Sequence, residues 1–223
     1  MRIFDCEQRS TEWRQHRAGV VTASGVDALI TPEFRPRTGE TPKTYLCRKI
    51  AERLIGCDYD GAQGTGYAAD QGTILENIAI PWFEFENSLS VQRVGFILSD
   101  DGRIGCSPDG LIGEDCGIEA KCPQPHTQVK YLSAGKLPPE YSAQVHFSMW
   151  VTGRPFWWFL SYSRYLPKLV VRVERDEKII AKLAEVVLPF VAELDSQCQK
   201  IRALEAVAFP PTRFTDEPNA IPF

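Results

Sequence analysis

The chain contains no run of apolar residues long enough to cross a bilayer, and its opening, Met1-Arg2-Ile3-Phe4-Asp5, lacks the hydrophobic stretch of an export signal. Both absences lead to the expectation of a cytoplasmic protein without membrane contact. Paired cysteines are missing too. Seven cysteines stand at 6, 47, 57, 106, 116, 122 and 198 with no Cys-x-x-Cys among them. An odd set at these spacings suggests neither a disulfide framework nor a zinc site, and reduced, mostly buried thiols are expected. Nor is there an excess of positive charge: the formal net charge is −4. Any contact with nucleic acid must therefore come from a local basic surface, with the acidic excess elsewhere or inside a metal site. Internal repeats and low-complexity linkers are absent.

What remains is the composition of an ordinary globular protein. A chain of 223 residues, 43% hydrophobic and 24% charged, can fill one core and does not call for two. A single domain over 1–209 is expected, followed by an irregular, proline-containing tail at 210–223. Thr22-Ala-Ser24 is expected to cap a short helix reaching Ile30; Thr41 with Pro42 opens a second, closed by Gly56, with Tyr45, Leu46, Ile50 and Leu54 as its buried stripe. A third runs over 68–86, where Pro81 ends or kinks it. Strands follow at 91–98, 104–107, 109–112 and 117–122, then helices at 127–134 and 140–151, then strands at 156–162 and 169–173. Asp176 caps a long last helix whose apolar positions run from Ile179 to Leu194 and which continues to about Leu204. Helices on both sides of a mainly antiparallel or mixed sheet define the α/β class.

The most informative stretch lies between Asp109 and Lys121. Leu111-Ile112 and Gly117-Ile118 flank the polar Gly113-Glu114-Asp115, a pattern of two short strands joined by a turn. Glu119 and Lys121 then project from one face of the second strand, and Asp109 enters beside Glu119 at the start of the first. Two converging carboxylates suit magnesium, which keeps several waters and takes one or two carboxylates together with phosphate oxygens. An acid and a lysine two apart on a strand are most often a solvated sheet face. Here, however, Gly117-Ile118 and Cys122-Pro123 are short, buried or turn-forming neighbours, which favours a phosphodiester-cleaving site.

On these and other segments the chain resembles the phage lambda-type exonucleases, the viral recombinase group within the restriction-endonuclease-like superfamily. The pieces stand in family order: Trp13-Arg14 through Arg17-Ala-Gly-Val-Val-Thr-Ala-Ser24, Gly72-Thr-Ile-Leu-Glu76-Asn, Cys106-Ser-Pro-Asp109-Gly-Leu, Ile118-Glu119-Ala-Lys121-Cys-Pro, and Ala143-Gln144-Val-His-Phe-Ser-Met-Trp150. The resemblance implies a restriction-endonuclease-like core with a mixed central sheet flanked by helices. It also implies an enzyme that degrades one strand of linear double-stranded DNA from its 5′ end, leaving 3′ single-stranded overhangs. A homotrimeric ring, a single-strand annealing protein as recombination partner, and a phage or prophage origin in a bacterial host belong to the same implication.

Residue by residue, Asp109 and Glu119 are expected to hold the metal together with the backbone carbonyl of Ala120, as the family pattern suggests. Glu76 is the third acid, preferred over Glu84 or Glu86 because it matches the family segment, and it would hold a second ion or reach it through water. Magnesium is the expected cofactor, two ions per site, with manganese the alternative. Lys121 would position and help deprotonate the attacking water. Gln144 is a catalytic candidate beside Lys121, holding water or the lysine; a buried glutamine bonding backbone is its structural alternative. Arg17 and Ser24 are expected to bind the terminal 5′-phosphate, a planar cation and a hydroxyl near a helix start. Arg14 and His16 are secondary candidates. His126 and His146 have no metal-ligand spacing and are expected to pack or bond locally.

The loop before Glu76, residues 63–70, departs from the family pattern. It offers Ala68, Ala69 and Tyr67 where a bulky apolar wedge would part the terminal base pairs, and Tyr67 could act by stacking on a base. The aromatic run from Phe156 to Phe159 is expected to be strand core. Two other readings stay open at this point: an endonuclease of the same fold, and a non-catalytic DNA-end-binding module.

Overall fold

The computed structural model describes residues 1–58 and 67–208, without the side chains at 67–74, 76 and 205–208. The loop at 59–66, the side chain of Tyr67 and the expected tail at 210–223 lie outside the described residues.

The mixed sheet takes the form of two four-stranded sheets. The first has β1 (Arg2–Phe4), β3 (Phe96–Leu98), β4 (Ile104–Cys106) and β2 (Val21–Thr22) in that spatial order; only the β2–β4 pair is parallel. The second runs β5 (Gly110–Ile112), β6 (Cys116–Lys121), β7 (Phe156–Ser161), β8 (Leu169–Glu174), with β6 and β7 parallel and the outer pairs antiparallel. Two backbone hydrogen bonds of 2.8 Å tie Leu111 of β5 to Gln92, in the segment that leads into β3. The strand expected at 91–98 is thus one bridge residue followed by three strand residues.

A parallel pair needs a crossover, and α4 (Pro125–Ala134) and α5 (Pro139–Thr152) supply it between β6 and β7. α5 is buried through Ala143, Val145, His146, Phe147, Ser148, Met149, Val151 and Thr152. Such all-round burial belongs to a central helix. Its apolar residues share one core with Ile97 and Cys106 of the first sheet, Trp157 and Phe159 of the second, and Leu183, Val187 and Val191 of α6 (Glu177–Ala208). The alternate residues of β7 turn the other way: Phe156, Trp158 and Leu160 meet Ala79, Ile80 and Phe83 of α3 (Tyr67–Asn87). The aromatic run is therefore strand core, as expected, and is packed on both faces. The close pairing of β6 with β7 explains Gly117, where a Cβ would stand 2.3 Å from the Trp157 ring.

Differences from the expected elements are local. The helix expected after Thr22 is a 3-10 segment, Ala23–Ala28, without a side-chain cap. α2 (Glu40–Ile55) begins after Gly39, one residue before Thr41, and ends on Gly56 in the left-handed region as expected. Pro81 lies inside α3, which continues to Asn87. β1, β2 and α1 (Thr11–Arg17) were not expected. At two or three residues the strands are too short for a periodic signal; α1 carries a capping signal instead, Ser10, whose hydroxyl accepts from the Trp13 N–H at 3.2 Å. The Asp176 carboxylate accepts from the N–H groups of Lys178 and Ile179 at the start of α6, as a cap should. All seven cysteines are free thiols; Cys47 is exposed and the others are buried or half-buried. No helix among the described residues is long and apolar enough to cross a membrane.

Candidate active site

The β5–β6 hairpin builds the acid pair. Gly110 to Ile112 pair antiparallel with Ile118 to Cys116, around Gly113 at φ 51° in the turn. Asp109 lies just before β5 and is tied to β6 at both ends: its N–H donates to the Ile118 carbonyl at 3.2 Å, and its Oδ2 accepts from the Ala120 N–H at 2.6 Å. The Arg93 guanidinium donates to the Asp109 carbonyl at 3.0 Å. This backbone framing fixes the carboxylate beside the Glu119–Lys121 segment.

Glu119 is 3% exposed, a carboxylate whose burial demands compensating donors. Two supply it on one oxygen: Lys121 Nζ at 2.6 Å and Gln144 Nε2 at 2.6 Å both reach Oε1. Alternation along β6 directs Glu119 and Lys121 to the α5 side and Ile118 and Ala120 to the α3 side. On α5, Tyr141 and Gln144 stand one turn apart, and the Lys121 ammonium lies 5.3 Å from the Tyr141 ring centroid. Burial works against the charged form of Lys121, but the charges of Glu119 and Asp109 and the hydrogen bond to Glu119 more than reverse this and raise its pKa. The lysine is thus an ammonium that donates to Glu119, and Gln144 bonds the carboxylate they share.

Two of the expected metal ligands, Asp109 and Glu119, come together here. The carboxylate of Glu76 lies outside the described residues; its backbone is on α3, three residues before Ala79, which packs in the same core as Ala120. Among the described residues no group of three His, Cys, Asp or Glu side chains converges as a metal site.

Arg17 and Ser24 face the same space. Both line a small pocket of about 240 Å³ together with Trp13, Thr22, Gly25, Arg48, Lys49, Glu52 and Asp58. The buried Arg17 guanidinium lies 4.1 Å from the Trp13 ring centroid, donates to Ser107 Oγ at 3.2 Å and pairs with Asp58 Oδ2 at 3.4 Å. Trp13 Nε1 donates to the same Ser107 hydroxyl at 2.9 Å. Ser24 Oγ is 3.4 Å from Thr22 Oγ1. Ser24 also borders a second cleft, of about 360 Å³, lined with Ala23, Asp27, Glu140, Tyr141, Ala143 and Gln144. Ser24 therefore borders both the basic pocket and the cleft lined by Gln144, the residue bonded to Glu119.

The secondary candidates lie elsewhere. His16 stacks on Phe4 with ring centroids 3.8 Å apart, and Arg14 is fixed through its carbonyl, which accepts from the Asp58 N–H. His126 is exposed, and the buried His146 sits with Nδ1 2.8 Å from the Ser142 carbonyl, a local bond as expected. Lys49, Glu52, Asp58 and Ser107 escaped the sequence reading. The spacing of Arg48, Lys49 and Glu52 along α2 was a usable signal for a charged stripe, whereas Asp58 and Ser107 reach the pocket only through tertiary packing.

Two hydrogen-bonded mixed sheets around a central helix, with the acid pair on a hairpin, define the restriction-endonuclease-like class. Residues 12–155 match the model of the YqaJ-like viral recombinase domain, and the chain belongs to that family. An alkaline exonuclease, LHK-Exo, from Laribacter hongkongensis has a similar structure: TM-score 0.78, 33% identity, 89% of this chain and 99% of that one. Its complex with dAMP matches equally, with a TM-score of 0.78 and 32% identity over 89% and 99% of the two chains. A phage-related exonuclease from Haemophilus somnus 129PT shares the fold at TM-score 0.58 and 16% identity, over 82% of this chain and 96% of that one. Among curated proteins, the putative uncharacterized protein ExoD of Escherichia coli K12 is 36% identical over 64 residues, 27% of this chain and 74% of that protein.

Proposed function

We propose that this protein is a metal-dependent exonuclease that degrades one strand of linear double-stranded DNA in the 5′-to-3′ direction and leaves 3′ overhangs for recombination by single-strand annealing. Membership of the viral recombinase family and likeness to an alkaline exonuclease over nearly that enzyme's whole length support the class of reaction. The observation that carries the reading is the sharing of Ser24 between the basic pocket and the cleft bordered by Gln144, the residue bonded to Glu119. A terminal phosphate held by Arg17 and Ser24 would present the adjoining nucleotide to the carboxylates.

The donor set fits a hard divalent cation: a half-exposed and a buried carboxylate come from one hairpin, their orientation set by Ala120 N–H, Lys121 and Gln144. Asp109, Glu119 and the Ala120 carbonyl would hold magnesium or manganese, with Glu76 the acid for a second ion. A bound ion there supplies charge stabilisation of the phosphate and a more acidic water. The chain's own groups do the rest. Gln144 holds the Glu119 carboxylate in one orientation. Lys121 orients the attacking water and offsets phosphate charge, and the Arg17–Ser24 pair sets the register of the end.

The test is digestion of linear and closed circular duplex, with and without magnesium, using strands labelled at either end. Linear duplex should release nucleotides from the 5′ end only with metal present, faster with a 5′-phosphate than a 5′-hydroxyl, and closed circles should survive. Nicking of closed circles would make the protein an endonuclease of the same fold. Binding to ends without metal-dependent cleavage would make it an end-binding module.

A further inference from the structure

The pocket around Arg17 holds more charge than one arginine and a hydroxyl require. Its described lining brings three cations, Arg17, Arg48 and Lys49, against two carboxylates, Glu52 and Asp58. In a chain whose net charge is −4, a small concave site with a positive balance is a local exception. The three cations are not equivalent. Arg17 and Lys49 are buried beside carboxylates, Arg17 at 3.4 Å from Asp58 and Lys49 at 2.6 Å from Glu52. Burial lowers the pKa of both, which an anion in the pocket would counteract. Arg48 differs: its side chain is 35% exposed, its Nε lies 3.7 Å from Glu52 Oε1, and its guanidinium sits 4.9 Å from the Tyr45 ring centroid. Glu52 divides its charge between Lys49 on one oxygen and Arg48 on the other, and also accepts from the Gly19 N–H at 3.1 Å.

We infer that Arg48 is a specificity-determining residue that makes this pocket select a phosphomonoester dianion, the group found only at a DNA end, over the monoanionic diester of the chain interior. This rests on the reading of the pocket as a terminal-phosphate site and adds to it the residue that counts charge. A terminal phosphate carries nearly two negative charges at neutral pH, and the attraction of one cation for it is about twice that for a monoanion at equal distance. Arg48 is suited to the task because its side chain is the most exposed of the three cations lining the pocket, while its Nε stays buried beside Glu52. Glu52, fully buried, keeps it at the pocket's edge.

The experiment measures binding of the full chain, carrying Asp109→Asn to prevent cleavage, to three duplexes that differ only at the 5′ end: phosphate, methyl phosphate and hydroxyl. Methyl phosphate keeps the phosphorus and its oxygens but has one charge. The wild-type pocket should prefer phosphate over methyl phosphate by about tenfold, the factor one charge-assisted contact can supply. Arg48→Gln should bring that ratio close to one, while Arg48→Lys retains most of it. An equal penalty for methylation with and without Arg48→Gln would mean a steric effect and overturn the inference, as would no penalty in the wild-type pocket. If the wild-type pocket does not separate phosphate from hydroxyl, the terminal-phosphate reading itself fails, a result distinct from the other two.

Discussion

Glu119 shows how much a single position can be asked to do. Its carboxylate is buried, accepts from Lys121 and Gln144 on one oxygen, and is the proposed metal ligand. Glu119→Gln should therefore abolish metal-dependent cleavage while DNA binding stays close to wild type, and Asp109→Asn should do the same, as gel shift and product analysis in magnesium would check. Wild-type turnover by either variant would remove the metal assignment. Asparagine is preferable to alanine at 109, because alanine deletes the acceptor for Ala120 N–H and costs about 1–3 kcal/mol in stability as well. Lys121→Ala should lower turnover by roughly a hundredfold or more without weakening binding to the same extent. Calcium should support binding without efficient cleavage. Asp109, Glu119 and Lys121 were legible in the sequence because a hairpin is local: strand alternation and one turn suffice to place them on the same side. Lys49, Glu52, Asp58 and Ser107 were not, because the pocket forms only when α2 and the segment before Asp109 pack beside α1.

At the level of the element, α5 and β6 carry the site, with β6 braced by β7, and each has a point of weakness. Gly117 passes against the Trp157 ring, so Gly117→Ala forces a Cβ to within 2.3 Å of fully buried aromatic carbon. The overpacking should cost about 1–3 kcal/mol, read as a lower urea midpoint; an unchanged midpoint would show that the ring moves freely. On α5, burial lowers the pKa of His146, partly offset by the Ser142 carbonyl and Asp176. The folded state then holds a neutral imidazole where the unfolded chain takes up a proton below about pH 6.5, so this residue's contribution to stability falls as pH drops through that value. His146→Gln should flatten the pH dependence of the urea midpoint between roughly pH 7 and 5.5; an equal slope in both proteins would remove His146 as its source. The existence of α5 was legible from its sequence, but its place between the two sheets was not. Periodicity reports a helix's apolar face, whereas α5 is buried on nearly every side and takes its position from the crossover between parallel strands.

At the scale of the whole molecule, a chain of net charge −4 that removed nucleotides in succession would have to stay on a polyanion. Bulk attraction cannot hold it, because the long-range field of the protein opposes the DNA. Local positive sites such as the Arg17 pocket act over short distances and only once an end is engaged. A single copy that released the end after each cut would have to find it again against this repulsion. A closed ring of three copies, which the family resemblance implies, would remove the difficulty by topology: DNA threaded through it could not leave sideways, and three basic pockets would serve one channel. The protein should then scatter light as a trimer over a wide concentration range and degrade a challenged duplex over long tracts before dissociating. Raised salt should slow initial engagement more than the length of each tract, since screening weakens steering but not enclosure. A persistent monomer that still removes many nucleotides per binding event would eliminate the ring and require that the pocket alone retain the end.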